Sequence, residues 1–378
     1  MAENCREEER VSACQAEELS DARHLPKEEV IRLIENLAQA FITSISNGQD
    51  PQLVLVKRSQ KNVIRDSGGR LHLGRNKTVK KLFARNAAGA GRFAKIWQVL
   101  ALIQRLLAEG KVVTQREGYY TLVNHFKNQS EFNATLQDVV ALTGCTRASL
   151  GVHASSSGAI AGLVSWKMEG SDPINCSTGT TAGIQIPGVT DKVTLTNLGA
   201  RYILVVEKDA IFTYLCGQRI WDTLPCILVT GCGYPPLSVR MVLKRLEDHL
   251  QLPILGLFDY NPHGLRILLT YKHGSTQMGT EAHAYATDIK WLGVHHDDIF
   301  DSDSTVLQSS LQPWCLSDRR VFSGLTAAIE HMGDPLYMRE IRMMAEKNVK
   351  AEIEALNNNG FDSLENRIVR KVLRKGYF

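Results

Sequence analysis

Arg116 and Tyr120 stand four residues apart, and two carboxylates, Glu207 and Asp259, lie far downstream, each after an apolar, β-rich run. A phenol with a pKa near ~10 is a poor nucleophile at neutral pH. A neighbouring guanidinium favours the phenolate and can hold a phosphate oxygen by two hydrogen bonds. The same group stabilises charge on a phosphorane-like transition state. Two carboxylates completed by waters and a substrate phosphate suit Mg²⁺, which polarises the phosphate and stabilises a leaving 3′-oxygen. A tyrosine and a divalent cation together can break a phosphodiester bond without water. Each part alone is weak. Arg/Tyr pairs are usually ordinary aromatics beside a charge, and an acid after a strand usually caps a helix.

The elements around these residues give them direction. Thr114-Gln115-Arg116-Glu117 reads as a capping box, so a helix begins at Gln115 and carries Arg116 and Tyr120 on one face. Gly118 inside that helix costs about 1 kcal/mol relative to Ala, and the sequence offers no reason for it. Downstream, strands are predicted at Tyr202–Val206, Cys226–Thr230, Pro253–Phe258 and Ile289–Leu292. Helices follow the first three: one through about Leu215, then Leu237–Leu250 and Gly264–Tyr271. This βαβα series implies a parallel sheet covered by helices. Ligands sit outside the carboxyl ends of such strands, so Glu207 and Asp259 should share one crevice, with Lys208 and Asp209 close by. In Asp259-Tyr260-Asn261-Pro262-His263-Gly264, Pro262 and Gly264 set a tight turn. His263 either contacts a phosphate or caps the helix.

Bulk properties bound the rest. The 378 residues are 44% hydrophobic, enough for two domains with their own cores. No run of about 18 apolar residues predicts a membrane span, and the acidic N-terminus lacks a signal-peptide h-region. Eight scattered cysteines without a C-x-x-C pair argue against zinc and against a disulfide scaffold, and fit a reducing compartment. The net charge of +4 hides an asymmetry: residues 57–95 hold twelve Lys/Arg against one acid, Asp66. Such a block attracts a polyanion by counterion release, or is a solvated basic loop. Gly69 to Gly74 has P-loop spacing, but Arg75-Asn76 replaces the required Lys-Ser/Thr. His295-His296-Asp297-Asp298 reads as a polar loop rather than a ligand set.

Along the chain, residues 1–27 read as an acidic disordered tail. Residues 28–48 form an amphipathic helix, 49–88 a polar, basic, turn-rich stretch, and Gly91–Ala108 a second strong helix. Further helices are expected at Ala134–Thr143 and from near Thr146, with a strand at Ala159–Trp166. Short helices followed by a β element are the pattern of a winged helix-turn-helix. The expected domains are therefore 28–166, a connector 167–198, and 199–378 with one long helix at about Leu336–Leu356 and a basic end from Arg367 to Lys375.

Taken together, these residues resemble the A subunit of topoisomerase VI and, more closely, its eukaryotic relative, the meiotic DNA double-strand-break protein, over roughly residues 30–378. The family pattern R-[DE]-x-[YF]-Y is met by Arg116, Glu117, Tyr119 and Tyr120. The Toprim pattern is met by Glu207-Lys208-Asp209 and, with one exception, by Asp259 through Gly264. Gly158–Gly162, Tyr271–Ser275, Ile289–Gly293 and Lys350–Leu356 are also family-like. The resemblance implies an α/β chain with an N-terminal winged-helix domain and a Toprim domain built on a Rossmann-like parallel sheet. It implies Tyr120 as nucleophile, forming a 5′-phosphotyrosyl link, Arg116 as its activator, and Glu207, Asp259 and Asn261 as Mg²⁺ ligands. It further implies double-stranded DNA as substrate, a homodimer or paralogue heterodimer, a separate topoisomerase VI B-like partner chain, and action on chromosomes in the nucleus. Four departures weigh against that. Asn261 stands for a second Asp and supplies no charge. Gly118 replaces a bulky apolar residue, Cys232 a lysine, and Ser157 a basic residue. These motivate an alternative: a non-catalytic DNA-binding component of a break-forming complex.

Overall fold

The computed structural model describes residues 21–66, 69–82, 87–178, 181–189, 193–301, 304, 306–357 and 362–378. They divide into two compact units: residues up to Ser155 together with Gly274–Ala284, and Ser156–His273 together with Tyr285–Phe378.

In the first unit, helices Lys27–Ser46, Ala87–Ala108 and Gln129–Thr143 surround a core that includes Val30, Ile34, Phe93, Ile96, Leu100, Phe132, Leu136 and Val140. The expected turn-rich stretch 49–88 is largely β-structure. Gln52–Val56 pairs antiparallel with Lys77–Lys81, and Val63–Arg65 with Leu71–Leu73. Alternation drives the first pair: Leu53 and Leu55 are buried between exposed neighbours, as a half-buried strand requires. The basic run is also partly internal. Arg58 and Arg92 both hold the buried Asp138, at 2.6 and 2.8 Å, and Lys95 holds Glu131 at 2.6 Å. The helix expected from Thr146 is instead a turn over residues 147–150, after which Val152–His153 pairs in parallel with Val113–Thr114. Of the expected acidic tail, residues 1–20 lie outside the described residues. The rest is docked: Arg23 N–H donates to Gly144 O at 2.8 Å and Leu25 N–H to Ser149 Oγ at 2.8 Å.

The second unit carries a six-stranded sheet ordered Ile184–Gln185, Ala159–Gly162, Cys226–Thr230, Tyr202–Val206, Ile254–Leu257, Ile289–Gly293. The last four are parallel and the first two antiparallel additions. The α/β architecture with a parallel Toprim-type core is thus present. Strand Ala159–Gly162, expected in the first domain, belongs to this sheet, and the division falls at 155/156 rather than after 166. The expected connector is structural too: Val193–Asn197 and Ile174–Asn175 flank Val164–Met168 in a three-stranded sheet. The parallel strands are buried on both faces, which is why they read as unbroken apolar runs. Ile203, Val205, Ile227 and Val229 face a core with Val242 and Leu268. Leu204, Val206, Leu228 and Leu257 face another with Phe212 and Ile353.

Strand Tyr202–Val206 lies between the two strands that follow it in sequence, so the chain order reverses beside it. A crevice opens at such a switch point. The long helix expected at 336–356 stops early: Pro335–Lys347 ends at Asn348, whose φ of 53° is left-handed. Val349–Lys350 then pairs with Gln312–Pro313, and the chain turns through Ile353–Asn357. The basic C-terminal stretch is mostly helical, on Asp362–Leu373, with Leu364, Ile368 and Val372 buried. His296–Phe300 is a short helix rather than a polar loop, and His295 and His296 are buried. No helix among the described residues is long and apolar enough to cross a membrane.

Candidate active site

The tyrosine helix is built as its local sequence dictates. Thr114 Oγ1 accepts from Glu117 N at 3.2 Å, Glu117 Oε2 accepts from Thr114 N at 2.7 Å, and the helix spans Gln115–Thr121. Arg116 and Tyr120 share a face, the guanidinium carbon lying 5.9 Å from the ring centroid, within cation–π range. The two adjacent tyrosines differ. Tyr119 packs edge-on against Phe132 at 6.4 Å and joins the core, whereas Tyr120 is 58% exposed.

The structure supplies the missing reason for Gly118. It is buried, and a Cβ there would sit 2.9 Å from Phe132 Cζ. Phe132 is itself fully buried and meets Phe126 edge-on at 5.3 Å, so its ring has nowhere to go. Gly118 therefore seats the Tyr120 helix tightly against Gln129–Thr143.

In the second unit, Glu207 and Asp259 meet at the switch point. Glu207 Oε2 accepts from Asp259 N at 2.9 Å, and both side chains are buried. Asp259 Oδ1 accepts from Ile353 N at 2.9 Å and lies 3.5 Å from Lys208 Nζ. Gly264 makes the close approach possible, because a Cβ there would lie 2.4 Å from Asp259 O. Burial, and then the charge of Asp259, pushes the Glu207 carboxyl well above its usual range. Burial also raises Asp259, against the pull of Lys208 and the Ile353 N–H. Two buried acids that resist ionising side by side are the electrostatic complement of a divalent cation. On this test the residues fit Mg²⁺.

The partners of the other crevice residues are not legible in the sequence. Lys208 Nζ donates to Glu354 Oε2 at 2.5 Å and Glu352 Oε2 at 3.0 Å. Burial opposes its charge, but Glu354, Asp259 and Glu352 outweigh that and hold its pKa above the usual lysine value. The two glutamates belong to the Lys350–Leu356 stretch, where nothing but the resemblance marked them. Asn261 is a helix cap: its Oδ1 accepts from Gly264 N at 2.7 Å, and its Nδ2 faces Asp259 Oδ2 at 3.5 Å. The atom nearest the acid is thus a donor, not a ligand oxygen. His263 sits at the start of Pro262–His273, with Nε2 3.4 Å from Ser317 Oγ and 3.7 Å from Asp318 Oδ1. Cys232 Sγ lies 3.5 Å from Asp209 Oδ1.

Comparison with known proteins gives the same answer by another route. Residues 202–373 match the family of the Toprim domain of the topoisomerase 6 A subunit and Spo11, and residues 91–152 match "Type IIB DNA topoisomerase". The class is therefore that of Toprim proteins of the type IIB topoisomerases. The chain is 37% identical over 376 residues to the meiotic recombination protein SPO11-2 of Oryza sativa subsp. indica, covering 95% of each. It is 31% identical to the meiotic recombination protein SPO11 of Homo sapiens, over 92% of this chain and 88% of that one. It is 35% identical to the A subunit of DNA topoisomerase 6 from Arabidopsis thaliana, over 71% of this chain and 62% of that one. The chain belongs to the family of Spo11 and the topoisomerase VI A subunits.

Proposed function

We propose that this chain makes DNA double-strand breaks by transesterification, in the nucleus, as in the initiation of meiotic recombination. Tyr120 Oη attacks a backbone phosphorus, the P–O bond to the 3′-oxygen breaks, and the phenolic proton is transferred to the departing oxygen. The products are a 5′-phosphotyrosyl link and a free 3′-OH. Arg116 favours the phenolate and holds a non-bridging oxygen. Glu207 and Asp259 hold Mg²⁺, with Asn261 contributing at most through a water. When bound, the cation supplies charge stabilisation for the phosphate and the leaving oxygen. Lys208, clasped by Glu352 and Glu354, keeps a positive charge beside Asp259. The residues up to 155 act as a winged-helix module on double-stranded DNA. Two protomers, identical or paralogous, each supply one tyrosine, and a topoisomerase VI B-like protein is their partner.

The observation that carries this reading is the contrast between the tyrosines: Tyr119 is packed, and Tyr120 presents its phenol to solvent beside Arg116. Tyr120→Phe should abolish cleavage while leaving affinity for duplex DNA within about twofold, because it removes no core contact. Loss of binding together with cleavage would contradict the assigned role. The capping posture of Asn261 favours a second reading, a non-catalytic DNA-binding component of a break-forming complex. In that case breaks in cells would persist in both Tyr120→Phe and Glu207→Ala.

A further inference from the structure

A second cluster of metal-ligating groups lies wholly within the first unit. Asp21, His72 and His283 each turn one ligand atom to a common point, all within 4.8 Å of one another. They come from three separate stretches: the docked N-terminal segment, the strand Leu71–Leu73, and the excursion Gly274–Ala284 that joins this unit. The backbone prepares the meeting. Ala22 N–H donates to Thr280 O at 3.0 Å, which places Asp21 beside the excursion. Two residues before His283, Glu281 is fully buried and accepts from Arg147 N and Nε at 2.9 and 2.7 Å.

Two of the separations match those between ligands of one cation. His72 Nδ1 lies 3.1 Å from Asp21 Oδ1, and His283 Nδ1 lies 3.3 Å from the same oxygen. Metal–ligand bonds of about 2.0–2.1 Å in a tetrahedron put ligand atoms about 3.3 Å apart. The two imidazole rings are stacked, with centroids 4.9 Å apart and planes 19° from parallel. His283 Nδ1 is buried and, despite its closeness to Asp21, has no hydrogen-bond partner among the described residues. A cation shared with the Asp21 carboxylate would satisfy that nitrogen. The far side of His72 completes the picture: Nε2 lies 3.4 Å from Asp66 Oδ2. A carboxylate on the second ring nitrogen is the usual device for orienting a metal-bound histidine.

We propose that Asp21, His72 and His283 form a binding site for a zinc-class divalent transition metal, with Asp66 orienting His72 and water as the fourth ligand. Two imidazole donors suit Zn²⁺ and disfavour Mg²⁺, which prefers oxygen ligands. The site is separate from the Glu207/Asp259 crevice in residues and in chemistry. Its role is to fasten the excursion and the docked N-terminal segment to the hairpin that carries His72. Cysteine spacing gives no sign of it, because none of its ligands is a cysteine.

The test uses the full chain, stripped with a chelator, reloaded with Zn²⁺ or Co²⁺ in excess Mg²⁺ and desalted. The proposal expects one zinc per chain and an intense visible Co²⁺ spectrum of the tetrahedral type. It also expects a zinc-dependent rise in Tm that is absent in His283→Gln. Asp66→Asn should weaken binding by about tenfold, and Glu207→Gln should leave zinc stoichiometry unchanged. If His283→Gln proves poorly folded, Asp21→Asn replaces it. Substoichiometric zinc in the wild-type chain, or equal zinc binding in the ligand variants, would overturn the site. Failure here leaves the cleavage proposal untouched, since no crevice residue is involved.

Discussion

The tyrosine helix and the acid crevice are built on opposite plans. Tyr120 sits on seven residues of helix whose cap, turn and ring–cation pair all come from positions 114–121, and its phenol is open to solvent. The crevice draws on Glu207, Asp259 and Ile353, from three distant stretches, and buries its charges. A local, exposed group tolerates removal without harm to the fold. A buried pair of like charges carries electrostatic strain in the metal-free chain, which a bound divalent cation would relieve.

Substitutions can break or sharpen this contrast. The largest effect is expected in the crevice. Glu207→Gln should abolish Mg²⁺ binding by calorimetry and also raise the Tm of the metal-free chain, because it removes one of two repelling acids. A lower Tm would mean that the pair is not strained.

Next is Gly118→Ala. A Cβ 2.9 Å from the locked ring of Phe132 should destabilise the first unit by about 1–3 kcal/mol in denaturant unfolding. Phe132→Leu in the same chain should recover part of that loss, and strict additivity of the two changes would show that the contact is not the cause.

A third prediction concerns pH. Glu207 and Asp259 have folded pKa values raised above the ordinary 4.5 and 3.8. Above those ordinary values the unfolded chain has lost protons that the folded chain retains, so metal-free stability falls as pH rises through the raised pKa values. Mg²⁺ must expel the same protons, so its affinity should rise with pH across that window, up to about tenfold per pH unit for each proton released. A flat profile, or a metal-free stability slope unchanged in Glu207→Gln, would contradict it. The smallest effect is at the cap: Thr114→Ala should cost about 1 kcal/mol, read by thermal unfolding, with Mg²⁺ binding unchanged.

The same contrast explains what can be read from the residues alone. Strands Tyr202–Val206 and Cys226–Thr230, and helix Leu237–Leu250, have the predicted bounds, because buried parallel strands are unbroken apolar runs and the helix is amphipathic. The capping box is legible because it spans four residues. What the sequence hides depends on distant partners. The hairpins within 52–81 are basic and look like loop until Leu53 and Leu55 are seen to alternate inward. Ala159–Gly162 gives no sign that it pairs with Cys226–Thr230. The helical pattern continues past Lys347, but Asn348 turns left-handed and Val349 pairs with Pro313. The resemblance implies the Asn261 amide as a metal ligand, whereas its oxygen accepts from Gly264 N and caps the helix that begins at Pro262.

The most direct measurement is covalent capture. The chain is expressed with a topoisomerase VI B-like protein in cells undergoing breakage, denatured stringently and immunoprecipitated, and attached DNA ends are labelled. The predicted result is DNA joined through a 5′-phosphate, with free 3′-OH ends, mapped by peptide mass to Tyr120 and absent in Tyr120→Phe. Breaks that depend on this chain but leave no adduct on it, or an adduct on another residue, would contradict the assignment.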